Sequence, residues 1–160
     1  MPIRPATPAD IPLILSLIRE LADYEKAPDQ AKATPALLQR ALFPQPPDRP
    51  HAECLIAELD GHPQAFALFF TNFSTWTGRP GIYLEDLFVR PAARGKGLGK
   101  ALLQHIARLA VTRGCARFEW AVLDWNTPAI DFYKAMGATP MDEWTVFRLT
   151  REPLAALAKM

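Results

Sequence analysis

The placement of proline constrains the fold of this chain more than any other feature. There are 16 prolines in 160 residues, at positions 2, 5, 8, 12, 28, 35, 44, 46, 47, 50, 63, 80, 91, 128, 140 and 153. Each removes a backbone donor and fixes φ, so a proline belongs at the border of a helix or strand rather than in its interior. The count is about twice average usage, which raises the question of disorder. The spacing answers it: the prolines punctuate the chain, and the longest stretch without one, 92–127, is where continuous hydrogen-bonded structure is expected.

Between those borders the apolar periodicity reads as a mixed α/β chain. Ile3–Ala6 is a short strand. Thr7-Pro8-Ala9-Asp10 is a helix start, with a capping hydroxyl, proline in the first turn and an acid beside it. Ile11, Ile14, Leu15, Ile18, Leu21 and Ala22 carry the helix to about Glu25, with Pro12 awkward in its first turn. Thr34-Pro35 starts a second helix through Leu42, and 44–50 is a loop. Ala52–Leu59 and Gln64–Phe73 are strands joined at Asp60-Gly61-His62, a hairpin signal. After a loop over 74–81, Ile82–Arg90 is a third strand of this group. Gly97–Arg113 is an amphipathic helix stopped by Gly114, Arg117–Leu123 a strand, Thr127–Met136 a short helix ended by Gly137, and Trp144–Leu149 a final strand. The last ten residues read as a short helix. The order βααβββαβαβ, hairpins first and crossovers later, predicts one domain over 1–160, α/β (α+β) in class, with a mixed sheet and helices on both faces.

Composition narrows the function. Eighteen Lys+Arg balance 17 Asp+Glu, so the net charge of +1 gives no reason to expect a nucleic acid or acidic-lipid partner. No apolar run approaches the roughly 18 residues of a membrane span, and the N-terminus has no apolar signal region. Cys54 and Cys115 have no CxxC partner, and His51, His62 and His105 have no metal-ligand spacing. Two structural thiols, no metal and a cytoplasmic location are the expectations.

The most informative segment is Arg90-Pro91-Ala92-Ala93-Arg94-Gly95-Lys96-Gly97-Leu98-Gly99-Lys100, between a strand and a helix. It holds four basic residues, no acid and three alternate glycines. Glycines admit close backbone approach and positive φ, and a helix N-terminus presents unpaired N–H groups with a positive dipole end. Together they make a diphosphate cradle. The Walker pattern is absent, because Ala101 follows Lys100, and the spacing GxGxG is not the dinucleotide fingerprint.

With Arg94-Gly95-Lys96-Gly97-Leu98-Gly99 and the later Asn126 and Tyr133 in Trp125-Asn126-Thr127-Pro128-Ala129-Ile130-Asp131-Phe132-Tyr133, the chain resembles the GCN5-related N-acetyltransferases along essentially its whole length. Within them it is similar to the spermidine/spermine (diamine) and thialysine acetyltransferases, through Ile3–Thr7, Glu20-Leu21-Ala22-Asp23-Tyr24-Glu25 and Tyr83-Leu84-Glu85-Asp86-Leu87-Phe88-Val89. The resemblance implies a central, mostly antiparallel sheet flanked by helices, acetyl-CoA as cosubstrate, a small cationic primary amine as acceptor, and a homodimer. It places the cosubstrate on Leu87, Phe88, Val89, Arg94, Gly95, Lys96, Gly97, Leu98, Gly99, Lys100, Asn126 and Ala129.

The chemistry asks for two proton carriers. An alkylammonium of pKa about 10.4 must lose a proton before it attacks, and a leaving thiolate of thiol pKa about 8.5 gains from receiving one. Glu85 is the candidate base, through a water, and Tyr133 the candidate acid. On pattern alone Tyr133 also fits a core aromatic, and the resemblance assigns it the catalytic role. Asn126 both caps its helix and reaches the cosubstrate. Strict alternation puts Tyr83, Glu85, Leu87 and Val89 on one face of their strand and Leu84, Asp86 and Phe88 on the other. The family's bulge in this strand disturbs that rule near 85–87, leaving the Leu87 and Val89 amides to hold the thioester. Tyr24, Glu25, Glu85, Asp86, Trp120 and Asp142, with Glu143 nearby, form the expected acceptor side. Trp76, Trp120 and Trp125 are read first as packing residues and second as a cation–π wall. Two other readings fit the same residues: an acetyltransferase for protein lysine or another small amine, and an acyl-CoA-binding module without chemistry.

Overall fold

The computed structural model describes residues 1–160. They form two compact units, 1–121 and 122–160. The first contains one five-stranded sheet in the order β1-β2-β3-β4-β5, built from β1 (Ile3–Pro5), β2 (Glu53–Leu59), β3 (His62–Ser74), β4 (Arg79–Val89) and β5 (Phe118–Trp120). The first four strands are antiparallel neighbours, whereas β5 runs parallel to β4. A parallel pair needs a crossover, and α3 (Leu98–Thr112) supplies it.

The first unit's remaining helices are α1 (Ile11–Tyr24) and α2 (Pro35–Leu42). Pro12 causes no distortion. A single helical turn over Pro8–Asp10 precedes α1, so Pro12 falls where a helical N–H has no intrahelical acceptor. Asp10 fastens this corner. Its carboxylate accepts from the Thr7 amide and hydroxyl and from both Nη atoms of Arg4, all at 2.8 Å. The Arg4 guanidinium holds the Asp10 carboxyl well below the usual carboxylate range.

Two apolar layers sandwich the sheet. On one face Ile11, Ile14, Leu15 and Leu17 of α1 pack with Leu38, Leu42, Cys54, Ile56, Phe66 and Phe88. Leu17 is fully buried in place of the expected Ile18, which is half-buried. Residues of the opposite strand parity, Leu55, Ala67 and Phe69, are buried with Leu98, Leu102 and Ile106 of α3, which packs across the sheet. Burying side chains of this size contributes about 1.5–3 kcal/mol each.

The β2–β3 turn is the expected hairpin. Leu59 pairs with His62 across Asp60-Gly61, both at positive φ. The next loop is shorter than the sequence indicates, because Ser74 pairs with Arg79 and β4 begins before Pro80. Pro80 is tolerated because it contributes its carbonyl, which accepts from the Ala116 amide at 2.8 Å. α3 ends as read: Gly114 takes φ 68°, and the Cys115 amide reaches back to the Ala110 carbonyl at 2.9 Å. The strand expected over 117–123 is limited to Phe118–Trp120.

The second unit holds α4 (Thr127–Ala135) and α5 (Arg151–Leu157). The final strand expected over Trp144–Leu149 does not form. A strand needs a hydrogen-bonding neighbour, and this unit contains no other strand. No helix of the protein is long and apolar enough to cross a membrane.

Candidate functional site

The geometry of the site starts from one extra residue in β4. Asp86 pairs with Leu68 and Leu84 with Phe69, so Glu85 has no opposite number on β3. This is a β-bulge, and it exchanges the faces of the strand. Asp86 and Phe88 share the face of Leu68 and Phe66, towards α1. Leu84 and Leu87 share the face of Phe69 and Ala67, towards α3. Strict alternation through 83–89 therefore fails: Leu84 and Asp86 lie on opposite faces despite their spacing of two. Glu85 itself is exposed at the bulge.

The same bulge opens an edge. β5 pairs with β4 only from Ile82 to Leu84, whereas β3 follows β4 to Val89. Past the bulge, the Arg90 amide donates to the Gln64 carbonyl on the β3 side, and the Val89 carbonyl accepts from Arg94 Nε at 3.1 Å. Backbone groups alternate along a strand, so the Val89 and Leu87 amides point to the edge away from β3. Phe88 is different. Its amide faces β3 and its ring is 3% exposed in the α1-side core.

The glycine segment follows. After a helical turn over Pro91–Ala93, Gly95 and Gly97 take φ 74° and 85°, and α3 begins at Leu98. The first amide bonded inside that helix is Ala101, to the Gly97 carbonyl at 2.9 Å. The Leu98, Gly99 and Lys100 amides therefore stand in the open first turn, with Lys96 and Lys100 exposed around them. This arrangement can hold an anionic diphosphate.

On the α1 side lies a cavity of about 190 Å³, lined among others by Ile18, Leu21, Glu25, Gln30, Ala31 and Asp86. Two carboxylates therefore meet in one recess. Burial, then the charges of Glu85 and Glu25, push the Asp86 carboxyl up to about 6. Burial raises Glu25 as well. Glu20 binds Arg90 at 2.7 Å, tying α1 to the end of β4. Arg94 lies over the Tyr24 ring, its guanidinium carbon 4.5 Å from the ring centroid. Neither the Glu20–Arg90 tie nor this stacking was legible in the sequence. They join residues far apart in the chain, and no spacing rule pairs them.

Trp120 is half-buried on β5 and meets Phe118 edge-on at 4.9 Å between ring centroids. Trp76 is 89% exposed in the β3–β4 turn, so packing does not account for it, and Trp125 is exposed at 49%. Cys54 is a buried free thiol pushed up to about 12 by burial, in keeping with a structural role, and Cys115 is free and half-buried.

In the second unit, Asn126 is buried at the head of α4. It caps the helix through its carbonyl, which accepts from the Ala129 and Ile130 amides at 3.0 Å, and makes no side-chain cap bond. Ala129 lies half-buried in the first turn. Tyr133 is half-buried on the same helix, its ring 5.4 Å from that of Phe132. Asp142 and Glu143 are exposed in a turn after α4.

The bulged strand, its open amide edge and the glycine turn at a helix start correspond to a known family. The profile of the acetyltransferase (GNAT) family matches residues 15–138. The chain belongs to this family. It is 41% identical over 167 residues to the thialysine N-epsilon-acetyltransferase of Sus scrofa, covering 98% of this chain and 96% of that one. It is 34% identical over 200 residues to the L-ornithine N5-acetyltransferase of Arabidopsis thaliana, covering 99% and 88%. Among solved structures, an integron cassette protein from the mobile metagenome of V. cholerae superposes with a TM-score of 0.81 at 27% identity, over 99% of this chain and 98% of that one. The protein is thus an acetyl-CoA-dependent N-acetyltransferase that acts on amine acceptors. The mixed α/β fold with its five-stranded sheet and flanking helices is that of the family.

Proposed function

We propose that the acceptor is a small cationic primary amine: a diamine, a polyamine or a thialysine-like amine. The observation that carries this reading is the meeting of Glu25 and Asp86 in one recess beside the bulge. Burial disfavours both carboxylates in their charged forms, and an arriving ammonium offsets that penalty. The names of the thialysine and ornithine relatives support the same class of acceptor.

In this reading the amine nitrogen attacks the thioester carbonyl carbon and the C–S bond breaks. Glu85 takes the ammonium proton through a water, which its exposure at the bulge permits. The outward amides of Leu87 and Val89 orient the thioester carbonyl and the pantetheine arm, and a preorganised N–H stabilises charge developing on that oxygen. Gly95, Lys96, Gly97, Leu98, Gly99 and Lys100 hold the pyrophosphate, and Asn126 and Ala129 support the arm. Tyr133 returns a proton to the departing thiolate. Tyr24, Trp120 and Asp142 complete the acceptor side. Both units serve one N-acetyltransferase domain, in keeping with a family match that spans their boundary. The active form is a homodimer in the cytoplasm.

The test is a thiol-release assay across putrescine, spermidine, spermine, thialysine, ornithine, lysine and neutral amines. Cationic diamines and thialysine are expected to lead. Turnover confined to a protein lysine or a neutral amine would overturn the reading. Tyr133→Phe is expected to lower kcat by roughly 10²-fold or more, and an unchanged kcat would remove Tyr133 from the chemistry.

A further inference from the structure

Arg94 opens the basic glycine segment, and its place in the motif assigns it to the cosubstrate's phosphates. Its bonds lie elsewhere. The backbone amide donates to the Pro91 carbonyl at 3.2 Å, and Nε donates to the Val89 carbonyl at 3.1 Å. The guanidinium carbon lies 4.5 Å from the centroid of the Tyr24 ring and 5.9 Å from that of Phe88. The next residue, Gly95, turns the chain at φ 74° before the open amides of α3 begin. Thus the main-chain donor and the Nε of Arg94 are already used, and its cationic plane covers an aromatic ring at the end of α1.

We propose that Arg94 is a positioning residue for the amine acceptor: it clamps Tyr24 of α1 to the Val89 end of β4 and so fixes one wall of the recess that holds Glu25 and Asp86. Tyr24 precedes Glu25 in the chain, so the clamp sets where the Glu25 carboxylate sits. Val89 ends the strand that carries Asp86, so the same side chain spans both sides of the recess. Arginine suits this role because one planar group stacks on a ring while its Nε donates at the edge. Lysine offers the charge without the plane or the fixed fork. This inference rests on the acceptor reading of the recess.

The experiment compares wild type with Arg94→Lys, Arg94→Gln and Tyr24→Leu, measuring CoA affinity by calorimetry and steady-state kinetics against a cationic amine. A phosphate ligand would be largely replaced by lysine. A clamp would not. Arg94→Lys is therefore expected to raise acceptor KM by roughly three- to tenfold, the range of one cation–π contact, with kcat and CoA affinity within about twofold of wild type. Tyr24→Leu is expected to raise KM similarly, and the double variant to raise it no further, since the two side chains act as one unit. Retained CoA binding shows that each variant is folded. An acceptor KM unmoved in Arg94→Lys, with wild type active, overturns the inference alone. So does a CoA affinity weakened tenfold or more in Arg94→Gln. A wild-type chain that turns over no cationic amine overturns the acceptor reading and this inference with it.

Discussion

At the scale of single residues, the proposed chemistry of this chain depends on one inserted position in one strand. Glu85 is exposed because the bulge expels it from the ladder, and Asp86 is held inward because the same bulge turns the strand over. Two adjacent acids thereby acquire opposite environments. Asp86 titrates near 6 in the folded protein, above an ordinary carboxyl. Its proton is held more tightly folded than unfolded. Between about pH 4 and 6 the unfolded chain releases this proton before the folded one does. The contribution of Asp86 to stability therefore falls as pH rises through that window and stays low above it. Asp86→Asn is expected to raise Tm at pH 8 relative to wild type and to leave it nearly unchanged at pH 4. The same change is expected to raise acceptor KM, because the carboxylate that would meet the ammonium is gone. Thermal unfolding at the two pH values checks the first effect; a stabilisation as large at pH 4 as at pH 8 would contradict the sign.

At the scale of elements, the glycine turn shows what the sequence could and could not disclose. Local rules sufficed for the hairpin at Asp60-Gly61, the capped start of α1 and the stop of α3 at Gly114, because each depends on neighbouring residues. The glycine turn and the helix start after it were legible for the same reason: three alternate glycines and four basic residues follow a strand. Non-local pairings were not legible. Alternation alone gave the faces of β4 wrongly across 84–86; the resemblance anticipated a bulge near 85–87, which is set by pairing with β3. Trp144–Leu149 carries strand-like side chains yet lacks a neighbouring strand in its unit. The recess at Glu25 and Asp86 joins residues far apart in sequence, and only the resemblance brought them together beforehand. The cradle yields a sharp test. Gly97 sits at φ 85°, where an L side chain is strained, although an added Cβ would meet only Met1 Cε, at 3.5 Å. Gly97→Ala is therefore expected to cost about 1–2 kcal/mol of stability through backbone strain. It is also expected to weaken CoA by about tenfold or more, because the turn that aims the first amides of α3 shifts. Calorimetry with CoA and denaturant unfolding measure the two effects. Unchanged CoA affinity would show that this turn does not hold the pyrophosphate.

At the scale of the whole molecule, the second unit carries several exposed apolar side chains, the kind of surface that marks an interaction site when it is contiguous. Trp144 is 65% exposed, Val146 82%, Phe147 92%, and Leu154 and Leu157 on α5 53% and 55%. At roughly 25 cal/mol per Å² of apolar surface removed from water, covering several such side chains contributes several kcal/mol to association. The proposed homodimer gives this surface an occupant, since identical copies carry identical patches and a two-fold axis can place them against each other. Phe147 and Val146 are the most exposed and should contribute most. Replacing both in one variant, Val146→Lys with Phe147→Glu, removes apolar area and adds charges that are costly to bury. Wild type is expected to sediment near twice the protomer mass at tens of micromolar, well above a dissociation constant of about 1 μM, which corresponds to about −8 kcal/mol. The double variant is expected to sediment at the protomer mass while retaining its CoA affinity, because neither Val146 nor Phe147 is among the residues proposed to hold CoA. A wild-type monomer at tens of micromolar, or a double variant that stays dimeric, would remove this surface from the assembly.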